Sequence, residues 1–337
     1  MIIEYPSYYE RFRCIGGRCP DTCCAGWEVD VDEESSAYYR SVEGAFGDTL
    51  RAHIQEEDGD CFFPLTKEGR CPFLRKDLLC EMYIQLGEES LCQTCTEYPR
   101  YFMDIGNYEQ IDMSLSCMEL GRIFFTECDR IEYIRSENEI PGEEISEEEQ
   151  ETLIEVLALR NRCIELLQNH GGAFLDAWQA VRALVAEAQG LDPKEADAER
   201  SFLKEDFPAL VELMKHLDSL RPEWDTLVEG YEQNCRDPHF LDALPQFMQE
   251  EAAQLDRWFT KLAVYFTYRY FIDTCIDGDI EIELCLVHRS LMMILFMLYS
   301  RWTEQQQLDV SDIIDVAHLF SKEVEHDEGN VNLLKSI

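Results

Sequence analysis

Fifteen cysteines punctuate the 337 residues, and eleven of them fall before residue 129, at positions 14, 19, 23, 24, 61, 71, 80, 92, 95, 117 and 128. Thiolates are the side chains that hold zinc and iron–sulfur clusters. The densest stretch is Cys14-x4-Cys19-x3-Cys23-Cys24, where Gly16, Gly17 and Pro20 let a short chain fold back around an ion. Cys71-x8-Cys80, the chelating pair Cys92-x2-Cys95, and Cys117 follow, and can be folded onto the first group. In a reducing compartment such a density points to metal ligation rather than a disulfide framework.

Spacing alone leaves zinc and iron–sulfur open, because all-thiolate sites serve both. Eight or nine ligands exceed one tetrahedral zinc, which favours a cluster plus a second site, or a cluster with spare thiols. Cys23 and Cys24 are adjacent, and consecutive side chains often diverge, so one of the two can pack inside. Cys61, Cys128, Cys163, Cys235, Cys275 and Cys285 lack a close chelating partner and read as core thiols. The C-x3-C-x2-C triad of radical enzymes is missing, since Gly26 stands where its third cysteine belongs. No G-x-G-x-x-G turn occurs among the 17 glycines, which disfavours a doubly wound cofactor fold. The seven histidines form neither H-x3-H nor H-E-x-x-H, so histidine metal chemistry is not indicated.

Phe12-Arg13-Cys14-Ile15-Gly16-Gly17, then Cys19, then Asp21-Thr22-Cys23-Cys24-Ala25-Gly26-Trp27 resembles the opening of the flagellin lysine N-methylase family, part of a wider group of cysteine-rich zinc- or iron-chelating domains. The likeness continues through Cys71-Pro72-Phe73-Leu74, Cys80, Leu86-Gly87-Glu88 and Thr94-Cys95-Thr96-Glu97-Tyr98-Pro99-Arg100, and ends near Ser116-Cys117-Met118-Glu119. It covers about the first 125 residues in four separated blocks. Two departures stand out: Cys92 where a serine is common, which weakens it as a ligand beside Cys95, and Met118 where a proline follows the last cysteine.

The resemblance implies a protein-lysine N-methyltransferase that moves methyl groups from S-adenosylmethionine to lysine side chains of flagellin. The expected metal ligands are Cys14, Cys19, Cys23, Cys24, Cys71, Cys80, Cys95 and Cys117, around an iron–sulfur cluster of the [4Fe-4S] kind, with zinc as the alternative. A rival from a different class is a non-catalytic metal-binding adaptor or chaperone for flagellin or another cytosolic protein. Methyl transfer to an amine requires a lysine with a pKa near 10.4 to lose its proton first, which calls for carboxylates or phenols and partial desolvation. Tyr98 and Arg100, held by Pro99 beside Cys95, are the expected catalytic residues. Arg100 also suits the carboxylate of the cofactor's methionine end. Trp27 joins it as a cofactor-binding residue, and as an apolar lid over the metal site.

The elements that must position these groups divide by composition. Residues 1–136 read as an irregular cysteine-rich metal-binding domain, with short strand-like or helical pieces such as Trp27–Val31 and Tyr108–Met113 between ligand loops. Residues 137–150 are an acidic linker, in which Ser146 and Glu149 make a capping box for the next helix. Residues 151–337 read as an acidic helical domain, so the fold class is mainly α. Helices are expected over 147–169 and 173–189 and near 200–220, 222–234, 240–275, 281–305 and 310–325.

The hydrophobic content of 46%, with 18 Phe, 15 Tyr and 5 Trp, is that of a globular chain. A formal charge of −40 repels phosphate backbones and anionic lipid, excluding nucleic acid and membrane surfaces as expected partners and suiting a basic protein surface. Glu4 and Glu10 stand where a signal peptide would be basic and then apolar, so the expected location is the cytoplasm. The apolar runs Leu262–Tyr268 and Leu291–Tyr299 fall short of the roughly 20 residues that span a bilayer and read as buried helices.

Overall fold

The structure is a computed structural model that describes residues 1–191 and 206–336. Its helices dominate, and they follow the sequence pattern closely. The first long one, Glu147–Asn169, opens on the expected capping box: Ser146 accepts from the Glu149 amide at 3.2 Å, and Glu149 accepts from the Ser146 amide at 2.7 Å. Phe174–Ala188 comes next, and Pro222 starts Pro222–Arg236 at the position where its missing N–H costs nothing. The segment expected near 200–220 is Asp206–Met214 so far as it lies within the described residues.

The stretch expected as one helix over 240–275 breaks into a 3-10 turn at Phe240–Ala243, a short helix Leu244–Glu250, and the long helix Ala252–Tyr270. Ile280–Gln305 runs for 26 residues and, as a helix, is long and apolar enough to cross a membrane; most of its apolar length is buried as the central helix of the core. Val310–Phe320 passes into a π-helical turn, Ser321–Glu325, before the last helix, Glu328–Lys335.

The first third holds more regular structure than an irregular domain implies. A four-stranded sheet is formed by β1 (Ile2–Pro6), β5 (Arg100–Ile105), β6 (Tyr108–Met113) and β7 (Tyr133–Glu137), in the order β5-β6-β1-β7. Strand β1 runs parallel to β6 and antiparallel to β7, pairing Ile2 with Tyr108 and with Glu137. These partners lie more than a hundred residues away, and β6 is covered on both faces, so neither proximity nor alternation marks the sheet in the sequence. A smaller sheet joins β2 (Val29–Val31), β3 (Gln55–Glu57) and β4 (Asp60–Phe63) in the order β2-β4-β3.

Two cores result. The larger one takes Tyr8, Phe12, Met113, Leu115 and Phe124 from the first third together with the helices beyond. The smaller one packs Val29, Tyr39, Leu50, Phe63 and Phe73 around the buried Cys71 and Cys92. The isolated cysteines pack as side chains of these cores: Cys128 and Cys163 are buried in the larger, Cys61 lies against the smaller, and Cys285 is buried in the central helix.

The sheet is fastened to the helices by charge as well as by packing. Arg160 is fully buried and bonds Glu4 of β1, with Gln110 and the Tyr108 hydroxyl completing its donors, while Glu4 also holds the half-exposed Arg135. Removing one partner of such a pair leaves a desolvated charge, at a cost of about 3–5 kcal/mol, whereas replacing both costs far less. Arg160→Met should therefore destabilise the fold by that amount in urea titrations, and the double substitution Arg160→Met with Glu4→Leu should recover most of the loss.

Candidate functional site

The first thiol loop has almost no regular structure of its own, only a single 3-10 turn at Gly16–Arg18. It is shaped by its neighbours. Gly17 packs so tightly against the following loop that a Cβ there would meet the Asp77 carbonyl at 2.8 Å, which is why no larger residue fits. The Cys24 carbonyl accepts from the Cys71 amide at 2.9 Å, and Ala25 bridges Arg70, tying the first ligand block to the second. A tight loop then returns the chain: Leu74 bridges Cys80, and the Arg75 amide donates to the Leu79 carbonyl at 3.0 Å. Cys92 caps the helix Gln93–Glu97, which carries Cys95, and Cys117 caps Met118–Glu127.

The nine thiols of these blocks fall into two neighbourhoods. Burial pushes Cys117 up to about 12, and the nearby Cys19 and Cys14 add to the effect; Cys23 also senses Cys117 and Cys14. Burial likewise pushes Cys71 up to about 12, but its neighbours are Cys24, Cys80 and Cys92. Cys95 is raised by its hydrogen bond with Cys92 and by burial, and it senses Cys24 and Cys71. Cys23 and Cys24 therefore look towards different sets, Cys14, Cys19, Cys23 and Cys117 on one side and Cys24, Cys71, Cys80, Cys92 and Cys95 on the other. The two adjacent residues join the sets: a hydrogen bond from Cys23 draws the Cys24 thiol down to about 7 against its burial, helped by Thr22, Lys322 and Arg70.

Among the described residues, no three His, Cys, Asp or Glu side chains are gathered closely enough to grip an ion. The donor chemistry of both sets nevertheless fits a thiolate-bound metal or cluster. Each supplies at least four sulfurs, and thiols held protonated by burial are the groups that a cation converts to thiolates.

The C-terminal helices reach into the first loop. Asp21, between Cys19 and Cys23, accepts from the fully buried Lys322 at 3.1 Å and from Arg221 at 3.2 Å, and its carboxylate lies 2.8 Å from His318 Nε2. Burial works against the charge on Asp21, but His318 and Lys322 outweigh it and hold the carboxyl well below its ordinary range. Lys322 also donates to the Thr22 carbonyl at 3.2 Å and lies 4.8 Å above the Trp27 ring.

Next to it His326 occupies a buried polar centre. Its ring stacks on Trp27 at 4.8 Å; Nδ1 lies 2.8 Å from the Tyr101 hydroxyl and Nε2 lies 2.6 Å from Ser116 Oγ. Ser116 is in turn 3.0 Å from the Tyr98 hydroxyl and 2.7 Å from Ser114. Burial, with Arg269, Lys322 and His318 adding like charge, lowers His326 to about 3, so the ring is neutral and works as one donor and one acceptor.

The structure brings Trp27 and Tyr98 together here, with ring centroids 6.1 Å apart and Tyr98 facing Cys117 and Cys23 rather than Cys95. Arg100 is directed elsewhere: its guanidinium lies over the rings of Tyr9 and Phe12, at 5.2 and 5.5 Å, and donates to the Glu97 carbonyl at 3.3 Å. Asp21, Ser114, Ser116, His318, Lys322 and His326 escape sequence reasoning. Histidine motifs such as H-x3-H depend on close pairs, whereas His326 finds its partners 210 and 225 residues away.

Residues 128–337 match the FliB lysine N-methylase C-terminal domain, and the chain belongs to that family. It is 29% identical over 127 residues to the lysine-N-methylase of Salmonella typhimurium, a match covering 36% of this chain and 31% of that protein. It is 30% identical over 130 residues to the flagellar biosynthetic protein FliU of Salmonella muenchen, covering 36% of this chain and 75% of that protein. The chain thus spans about a third of the length of the curated lysine-N-methylases that it matches. No solved structure matches it.

The neutral His326 makes the fold acid-sensitive. Its folded pKa lies below the 6.5 of an unfolded histidine, so the unfolded chain takes up the proton first, and stability falls as the pH drops from about 6.5 towards 3. At about 1.4 kcal/mol per pH unit, some 2 kcal/mol should go between pH 7 and pH 5. Urea titrations at the two values should show this loss, and His326→Gln should flatten it.

Proposed function

We propose that this chain is a protein-lysine N-methyltransferase that transfers methyl groups from S-adenosylmethionine to lysine side chains of flagellin, with a cysteine-ligated iron–sulfur centre. The observation that carries this reading is the family match over residues 128–337, joined to the cysteine blocks of the first third. The names of the relatives, lysine-N-methylase and flagellar biosynthetic protein, support the same substrate and reaction.

When bound, S-adenosylmethionine supplies an electrophilic sulfonium methyl. The chain's own residues would desolvate and orient. Trp27, stacked on a neutral His326, offers an aromatic face to a cation, and Tyr98 stands between that face and the first thiol set. Arg100 makes no ion pair among the described residues, and turning from the Glu97 carbonyl and the rings of Tyr9 and Phe12 it would offer its fork to a carboxylate such as the methionine end of the cofactor. Cys14, Cys19, Cys23 and Cys117 would hold one inorganic centre, and Cys24, Cys71, Cys80 and Cys95, with Cys92 beside it, a second. An iron–sulfur cluster of the [4Fe-4S] kind suits either set, with zinc as the alternative.

Three experiments test this reading. Protein purified anaerobically and incubated with methyl-labelled S-adenosylmethionine and flagellin should place label on lysine; stable flagellin binding without label would make the chain an adaptor. Iron and acid-labile sulfide should fall by about half in Cys14→Ala/Cys19→Ala and again by about half in Cys71→Ala/Cys80→Ala. A colourless protein with stoichiometric zinc overturns the iron–sulfur assignment. Arg100→Ala should raise the KM for S-adenosylmethionine by about 10- to 100-fold, the weight of a charge-assisted pair, with the metal content unchanged.

A further inference from the structure

The end of helix Ala252–Tyr270 and the edge of the four-stranded sheet line an open slot of about 140 Å³, with Tyr101 in its wall. Its walls include Tyr101, Phe102, Asp112, Arg269, Tyr270 and Asp273. The slot is well below the roughly 300–1,000 Å³ that drug-sized ligands need, so it takes a side chain and not a nucleoside. Phe102 is 41% exposed and marks a wall open to solvent.

The polar group at its base is unusual. Asp112 is 3% exposed, and its Oδ2 accepts from Arg269 at 2.7 Å, but Oδ1 makes no well-aligned hydrogen bond; only the Met113 amide leans towards the carboxylate. Arg269 divides its charge, with Nε 3.1 Å from Glu325, and so serves two buried carboxylates with one cation. A buried acceptor without a partner is destabilising, and the surplus negative charge calls for a donor that arrives from outside.

We propose that this slot receives the side chain of a substrate lysine, with its alkyl stem along Tyr101, Phe102 and Tyr270 and its nitrogen donating to Oδ1 of Asp112. The inference rests on the methyltransferase reading for the identity of the substrate. Lysine suits the slot better than arginine: one free acceptor matches a point donor, and a planar guanidinium with five N–H groups would sit beside Arg269 with its charge fixed. A lysine nitrogen can instead shed its proton, which burial and the like charge of Arg269 both favour. Burial, against the pull of Arg269, raises Asp112 to about 6. The titratable and charged groups around it are Arg269, Tyr265 and Tyr270 from the long helix, Glu325 from the π-helical turn, Tyr101 from β5, Tyr133 from β7, Tyr8 and Asp273.

The test is calorimetric binding of a short peptide with one central lysine to the whole protein, purified anaerobically, beside the same peptide carrying norleucine or arginine. Expected is millimolar or tighter binding of the lysine peptide alone, weakening as the pH falls through about 6, where Asp112 becomes protonated. Asp112→Asn should weaken it at least tenfold and remove that pH dependence. Because Asp112→Asn also breaks a buried ion pair, Met103→Trp, which fills the slot from another of its lining residues, serves as the second variant and should block binding while leaving the pair intact. Equal binding of the norleucine or arginine peptide, or full lysine-peptide binding in Met103→Trp, overturns the assignment. Lysine binding that depends on Asp112 in a protein that transfers no methyl group upholds the slot and overturns the methyltransferase reading; methyl transfer undiminished in Met103→Trp does the reverse.

Discussion

A buried cation must have an anion beside it, and this constraint shapes the molecule. The chain has 29 lysines and arginines against 69 aspartates and glutamates, yet it places Arg160, Arg269 and Lys322 almost wholly out of water. All three lie where the first third meets the helices. Arg160 binds Glu4 of β1, Arg269 binds Asp112 of β6, and Lys322 binds Asp21 of the thiol loop. The carboxylate in each pair comes from the first 112 residues and the cation from beyond residue 159. Apolar packing can tolerate a small shift between two surfaces, but a desolvated ion pair cannot, because the penalty returns as soon as its partners separate. The pairs therefore set the register of one part of the chain on the other.

The thiol loop depends most on this arrangement. Residues 14–24 have little secondary structure to hold them, and their hydrogen bonds run to neighbouring loops and to the Lys322 and Arg221 side chains. The loop is thus positioned by the C-terminal region, through the one acid that lies between its cysteines. This also explains why Cys23 and Cys24 can serve different neighbours. Asp21 and the Thr22 carbonyl are fixed on the helical side, while the Cys24 carbonyl is fixed to Cys71, so the two thiols, hydrogen-bonded to each other, stand where the two sets meet.

The helices and their ends are legible in the sequence because their signals are local. Ser146 and Glu149 are three residues apart, Pro222 marks its own helix start, and the spacing of Leu153, Val156 and Leu157 covers a single face. The cysteine blocks are legible for the same reason, as residue types at short intervals. The four-stranded sheet is legible only in part: Tyr108–Met113 stands out as a short strand-like or helical piece and is β6, but β1 draws its partners from 108–110 and 133–137, pairings that no local signal marks. His326 and Asp21 are hidden in a different way. Each is a single polar residue whose meaning comes only from what surrounds it, and a lone histidine in an acidic helical stretch looks like any solvated one.

Those hidden residues bear on what the family domain does. Arg221, His318, Lys322 and His326 all belong to the matched span 128–337, and all of them meet residues of the first third: Asp21, Trp27, Tyr101, Ser114 and Ser116. The helical part is therefore more than an acidic body attached to a cysteine-rich segment. It supplies the cations that pin the thiol loop and the neutral ring that closes the aromatic centre. Tyr101 then links that centre to the slot: its hydroxyl meets His326, and its face carries Arg269 at 3.9 Å. Strand β5 thus contributes through one residue both to the surroundings of the buried histidine and to the wall of the slot, so a change at either place reaches the other through a single phenol.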